Sequence, residues 1–450
     1  MKLTKQELIN KVNDKVTDVD LSIELIEDIS DSMEDVSVDA TEVESLKAKV
    51  EDLTYQLDDL KARYKERFLS GEETEEETEE AKLTKATSPV ERNMKLPLAC
   101  KIIYAIAALC AVLYILFLCF PEFSDIFNRY VSPIVRGFLA TLTGWIPFSL
   151  SEFLLLMLPF IIVSIALIGL KRYASSWRNV AIFSLTILSV AAYVFSTFTL
   201  GFVPAYRGST LDKKMGLDKQ PVSAEELRDT TYAVLEELTA LEKEIGFKSD
   251  GFSVMPYSYE ELNDKLMDAY DLACEKYDFI PKLHSRVKRV MLSEPMTYTH
   301  ISGIYTFFTG EANINTNFPD YTLPYTAAHE LAHQRGIARE DEANFVAFLV
   351  CKDSDDVYIR YSAYLNMYEY LRNALYSANT NYYAETYYSV PASCRKEMAA
   401  YSRFFDKYRE NIVNEVSETV NNTFLTINGT EGTKSYGMVV DLAVAYYKAQ

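Results

Sequence analysis

The stretch YTAAHELAHQRGIARE, Tyr325–Glu340, decides how the C-terminal half of the chain is read, because it holds two of the four histidines among 450 residues. On a helix, His329 and His333 are four positions apart and share a face, so their imidazoles can hold one Zn2+ ion. Glu330, one position along, then stands beside the ion, where its carboxylate can serve as the base toward a water in an open coordination position. Gly336 breaks the helix three residues after His333, and a second helix is expected over REDEANFVAFLVC, Arg339–Cys351. A catalytic zinc keeps three protein ligands and one water, so a third donor is required.

The glycine spacing resembles the metzincin pattern HExxHxxGxxH, but the third-histidine position is Arg339, and a guanidinium does not ligate zinc. On the second helix Glu340, Ala343, Asn344 and Ala347 share a narrow face of small residues, which would let that helix pack tightly on the first with Glu340 toward the metal. Glu342 competes; its face runs through Phe345, Val346 and Leu349, which suits a buried structural role. Glu340 is the preferred third ligand, with Glu342 kept as the alternative.

Working outward, RVKRVMLS and MTYTHISGIYTFFTG are rich in β-branched and aromatic residues and predict a small sheet before the motif helix. SAEELRDTTYAVLEELTALEKEIGF and SYEELNDKLMDAYDLACEKYDF predict helices, the first opened by a capping box between Ser223 and Glu226. After the motif, Tyr358, Tyr361, Tyr364, Tyr368 and Leu371 fall on one helical stripe and are read as packing residues. Residues 206–450 thus form an α+β domain.

Three apolar segments precede it, Ile102–Phe120, about Phe153–Leu170 and about Val180–Phe202, each near the length that crosses a bilayer. Residues 97–205 are therefore a three-helix transmembrane region, with an amphipathic stretch around Trp145 at the interface. The loop KRYASSWR, Lys171–Arg178, is basic without an acid, and Arg92, Lys95 and Lys101 flank the first helix. Both belong in the cytoplasm, which places the C-terminal domain outside the cell membrane. The first thirty residues carry no apolar run, so a cleaved signal peptide is not expected.

Residues 1–69 are acidic; within them, about 43–68, Val43, Leu46, Val50, Leu53, Leu57, Leu60 and Tyr64 follow coiled-coil spacing and predict homo-oligomerisation. Residues 70–96 are an acidic linker with no means of forming a core. A net charge of −20 excludes nucleic acid as a partner. The six cysteines lack CxxC spacing, so neither a disulfide framework nor a thiolate zinc site is expected.

HELAH followed by EDEAN resembles the gluzincin arrangement of membrane zinc proteases related to the CAAX-processing and heat-shock group. In their second motif, ExxxD, a glutamate binds the metal and an aspartate supports a ligand histidine; the resemblance implies Glu340 as ligand and Asn344 in the aspartate's place. Over a longer span, GIYTFFTGEANIN, LPYTAAHELAHQRGIAREDEANFVAFLVC and SYGMVVDLAVAYY resemble a bacterial membrane family, domain of unknown function 3810, across roughly residues 97–450. That resemblance implies a membrane zincin-like protein and supplies no substrate. Glu311 and Asn313 are candidates to line a substrate strand, and Tyr436 to donate to an oxyanion, with packing or a turn as the simpler role for each.

The expectation is a mainly α protein: an N-terminal coiled coil, three transmembrane helices, and an α+β zincin-like metallopeptidase domain with a small sheet. Its partners would be the lipid bilayer and a peptide or protein substrate. The alternative is a catalytically silent membrane sensor or scaffold whose zincin-like domain binds peptides.

Overall fold

The computed structural model describes residues 95–173, 176–409 and 411–450. The coiled coil expected over about 43–68 lies outside the described residues, as does the acidic linker as far as residue 94. Helices α1 (Leu98–Cys119), α2 (Pro121–Tyr130), α3 (Ser132–Gly144), α4 (Leu150–Ile168) and α5 (Trp177–Gly201) come first. Of these, α1, α4 and α5 are long and apolar enough to cross a membrane. They begin three or four residues before the apolar runs do, since polar and capping residues belong to a helix's first turn. Ser149, for instance, accepts from the Glu152 N–H to start α4.

Pro121 and Pro133 sit in the first turns of α2 and α3. There proline costs no hydrogen bond, whereas in a helix interior it would break the ladder, so the amphipathic stretch becomes two short helices. Helix α1 packs along α5, with the Tyr104 hydroxyl donating to the Leu185 carbonyl at 2.6 Å and the Tyr114 and Phe195 rings in contact.

Next come α6 (Val203–Arg207), α7 (Leu211–Met215), α8 (Ala224–Glu242) and α9 (Tyr259–Lys276). The capping box at Ser223 and Glu226 is present, and Ser258 and Glu261 form a second one that opens α9. The sheet consists of β1 (Lys288–Arg289), β2 (Gly303–Thr306) and β3 (Glu311–Ile314), in the order β1–β3–β2. β1 runs parallel and β2 antiparallel to the central β3. Between β1 and β2, the start of MTYTH is not strand: Ser293–Thr297 forms α10. Its proline at the third position suits a first helical turn better than a paired strand, which needs the missing N–H.

The motif helix α11 (Leu323–Gln334) and its neighbour α12 (Glu340–Lys352) lie at the centre, buried along nearly their whole length. Around them stand α13 (Val357–Ala378), α14 (Thr380–Ser389), α15 (Ala392–Asp406), α16 (Ile412–Ile427) and α17 (Val439–Lys448). The tyrosine stripe of α13 is core: Tyr358, Tyr361, Tyr364, Tyr368 and Leu371 are all buried.

The described residues from 95 onward pack as one unit, so the apolar helices and the domain after them are joined by direct contacts. Arg136 of α3 makes one of these joints. Its buried guanidinium donates to the Gly201 carbonyl at the end of α5 (2.6 Å), to Asn128 Oδ1 of α2 (2.9 Å) and to the Arg335 carbonyl at the end of α11 (3.2 Å). Gly336 has φ +90°, and a Cβ there would run into that guanidinium, so glycine is needed for both the turn and the approach. Arg136→Met would leave several buried helix-end carbonyls unpaired. We expect it to destabilise the solubilised chain by about 3 kcal/mol, read as a lower midpoint of thermal unfolding.

Candidate metal centre

Helix α11 places His329 and His333 one turn apart, with ring centroids 4.5 Å from each other and planes nearly perpendicular. Gly336 turns the chain, α12 starts at Glu340, and its first carboxylate comes back over the histidine pair. Glu340 Oε2 lies 3.2 Å from His329 Nε2 and 3.4 Å from His333 Nε2. The three potential ligand atoms all lie within 4.8 Å of one another, and all three residues are buried. Two ligands held at 2.0–2.1 Å from a tetrahedral ion stand about 3.3–3.4 Å apart, so the glutamate-to-histidine spacings match a shared cation.

The surrounding hydrogen bonds point the same way. His333 Nδ1 donates to the Ile337 carbonyl at 2.7 Å, so Nε2 is the nitrogen turned toward Glu340 and, in the neutral ring, the one that carries the lone pair. Glu340 Oε2, buried, has no hydrogen-bond partner, nor has His329 Nδ1 on the far side of that ring. A buried carboxylate oxygen without a donor is costly, and a cation between it and the two imidazoles removes the cost. The residues present therefore fit a divalent ion, and two imidazoles with one carboxylate are a donor set that suits zinc.

Electrostatics ties the group together. Burial alone would lower the His333 pKa, but Glu340 and Glu330 beside it lift it to about 9. His329, buried and next to His333, is held below its ordinary value. Burial opposes ionisation of Glu340, yet the two imidazoles outweigh it and hold its carboxyl well below the usual range. Glu330 takes the opposite course: burial first, and then the Glu340 charge, push it up to about 8. Two carboxylates in one pocket thus have opposite characters, one fixed as an anion and one near the point of exchanging a proton.

Glu342, the competitor, faces elsewhere. Its Oε1 accepts from the Leu211 N–H at the start of α7 (2.9 Å) and from Arg339 Nη1 (3.0 Å). Arg339 itself donates to the Tyr206 and Gly208 carbonyls, fastening α12 to the chain leaving α5. Asn344 reaches the side of His329, as the ExxxD comparison implies for its last residue, and its amide nitrogen has no hydrogen-bond partner.

Glu311 and Asn313 do not border this site. Glu311 accepts from the Leu150 and Ser151 N–H groups at the start of α4, both at 3.0 Å, and pairs with Lys288 at 2.6 Å. It is a buried anion at a helix N-terminus, anchoring the second apolar helix to β3. Asn313 donates to the Ile304 carbonyl and reaches Ser151 Oγ in the same joint. Tyr436 belongs to a 3-10 turn over Gly432–Met438, and its side chain lies outside the described residues.

Of the triad, His329 borders a cleft of about 580 Å³, with Glu330 beside it. One wall is the chain entering β2, Thr299 to Gly303; the floor is Tyr325, Thr326, His329 and Glu330; the opposite wall comes from α13 and α16. Asn366, Glu369, Tyr370 and Asn373 of α13 line it, as do Asn414, Ser417, Glu418 and Asn421 of α16. Reading the sequence missed these walls. The signal for α13 was present, since positions 366, 369, 370 and 373 form a polar ridge at helical spacing beside the tyrosine stripe. It also missed Gly303, where a Cβ would stand 2.6 Å from Glu330 Oε1.

A family model described as "Protein of unknown function (DUF3810)" matches residues 127–444. No curated protein and no solved structure matches the chain.

Proposed function

This chain belongs to the DUF3810 family, and we propose that it is a membrane-anchored, zinc-dependent metallopeptidase of the gluzincin kind. The observation that carries this reading is the convergence of His329 Nε2, His333 Nε2 and Glu340 Oε2 on one point with Glu330 beside it. His329, His333 and Glu340 would hold the zinc ion, which when bound supplies Lewis acidity toward a water and a substrate carbonyl. Glu330 would accept the proton of the attacking water and hand it to the leaving amine. The backbone N–H of Tyr305 faces the Glu330 carboxylate and holds it toward the cleft.

A peptide is the favoured substrate because β2 ends the sheet order and borders the cleft. An edge strand offers unpaired N–H and C=O groups along which an extended polypeptide can align. On the charge of the loop Lys171–Arg178, the N-terminus is cytoplasmic and the metal-bearing domain extracellular.

Metal content and hydrolysis test the reading together. The full chain purified from zinc-containing medium should carry one equivalent of zinc and cleave an unfolded protein substrate, and a chelator should stop the cleavage. A chain without metal at the site overturns the proposal; one that binds zinc and peptides but cleaves none supports the silent sensor instead.

Gly303→Ala is a sharper probe of geometry. The added methyl would also come within 2.7 Å of Glu330 Cγ, so the base must move while the three ligands stay. Turnover should fall by about 10–100-fold with zinc content unchanged, since displacements near 1 Å carry losses of that order.

A further inference from the structure

Helix α16 carries an apolar stripe that is largely exposed among the described residues. Ile412 is 75% exposed, Val416 59%, Val420 64% and Ile427 68%, with Val413 and Phe424 completing the stripe. At roughly 100° per residue these six positions fall within an arc of about 120°. The neighbouring arc is the cleft wall, where Asn414, Ser417 and Asn421 stand. A helix exposing this much contiguous apolar surface at its outer side needs a partner.

Its C-terminal end shows which partner. The Phe424 ring lies 6.0 Å from that of Phe198, on the membrane-spanning helix α5. Phe198 is three residues before the end of α5, about 4.5 Å inside it along the axis. Phe307 of the loop after β2 packs on the same Phe198 ring at 4.9 Å, and Tyr193, deeper in α5, donates to the Phe308 carbonyl. Arg207, just past α5, donates to the Ile427 carbonyl and ties down the last turn of α16. The exposed stripe therefore runs up to the end of an apolar helix long enough to cross a bilayer.

We propose that α16 is an interfacial helix. Its stripe Ile412, Val413, Val416, Val420, Phe424 and Ile427 lies in the outer edge of the bilayer, while its inner face walls the cleft. The metal site then opens at the membrane surface, and lipid contact fixes the position of one of its walls. The helix has no lysine or arginine and bears Glu415 and Glu418, so apolar burial drives the contact rather than attraction to anionic lipid.

Labelling the full chain in liposomes tests this without needing metal or turnover, so a negative result here leaves the metallopeptidase reading standing. Cys119 and Cys274 are replaced by serine, and a polarity-sensitive fluorophore is placed on a cysteine at Val420 or, as control, at the exposed Glu415, about 60° outside the stripe. In phosphatidylcholine liposomes the Val420 label should be quenched several-fold more by brominated lipid than the Glu415 label, and less by aqueous iodide. Added salt or anionic lipid should leave this pattern unchanged. Equal iodide quenching at both positions would overturn the proposal. So would protection of Val420 that persists in lipid-free detergent and rises with protein concentration, since a second copy would then cover the stripe.

Discussion

Glu340→Ala should leave the purified chain without zinc, whereas Glu342→Ala should leave it loaded. Glu340 Oε2 is the atom both imidazoles face, and its removal takes away one of three protein donors and the only anion among them. Loss of a residue that merely supports a ligand costs about 10–100-fold in metal affinity, and loss of a ligand costs more. Glu342 bonds instead to the Leu211 N–H and to Arg339. Its removal leaves a buried donor and a guanidinium short of partners, at a cost of about 1–3 kcal/mol in stability with the triad intact. Elemental analysis of the two variants beside the wild-type chain separates the cases. Zinc lost from Glu342→Ala alone would mean that α12 does not present Glu340 to the histidines.

Helix geometry already puts Glu340, and not Glu342, on the side of the histidines, where the folded chain has it, and this shows where the sequence is legible. The face shared by Glu340, Ala343, Asn344 and Ala347 is a local property of a helix, and the small residues allow α12 to close on α11. The apolar runs of α1, α4 and α5, the box at Ser223 and the tyrosine stripe of α13 are local in the same sense. What periodicity misses is the contact between distant segments. Glu311 looked like a candidate for the cleft, yet its partners are Leu150, Ser151 and Lys288, of which only the last is near in sequence. Arg136 reads as one charge in an amphipathic stretch, and only the folded chain shows it bonded to the ends of both α5 and α11. The cleft walls from α13 and α16 are hidden for the same reason. The MTYTH segment misled because β-branched composition is a weaker guide than a proline at the start of a turn.

Glu330→Gln separates catalysis from metal binding more cleanly than any ligand change. Glutamine keeps the length and shape of the side chain beside Gly303 and can still accept from the Tyr305 N–H, so neither packing nor the three ligands should shift. What it loses is the ability to take and return a proton. General acid–base catalysis contributes typically 10²–10⁴-fold, so turnover of an unfolded protein substrate should fall by on the order of 10³-fold. Zinc content and the midpoint of thermal unfolding should stay at wild-type values. The control matters because Glu330 is an awkward residue for mere structure. It is buried, its Oε2 has no hydrogen-bond partner, and its neighbour Glu340 is an anion. A site that only bound peptides would be at least as stable with a neutral amide there. Equal turnover in Glu330→Gln and wild type would place the base elsewhere in the cleft, and the metallopeptidase mechanism as drawn would fail at its central step.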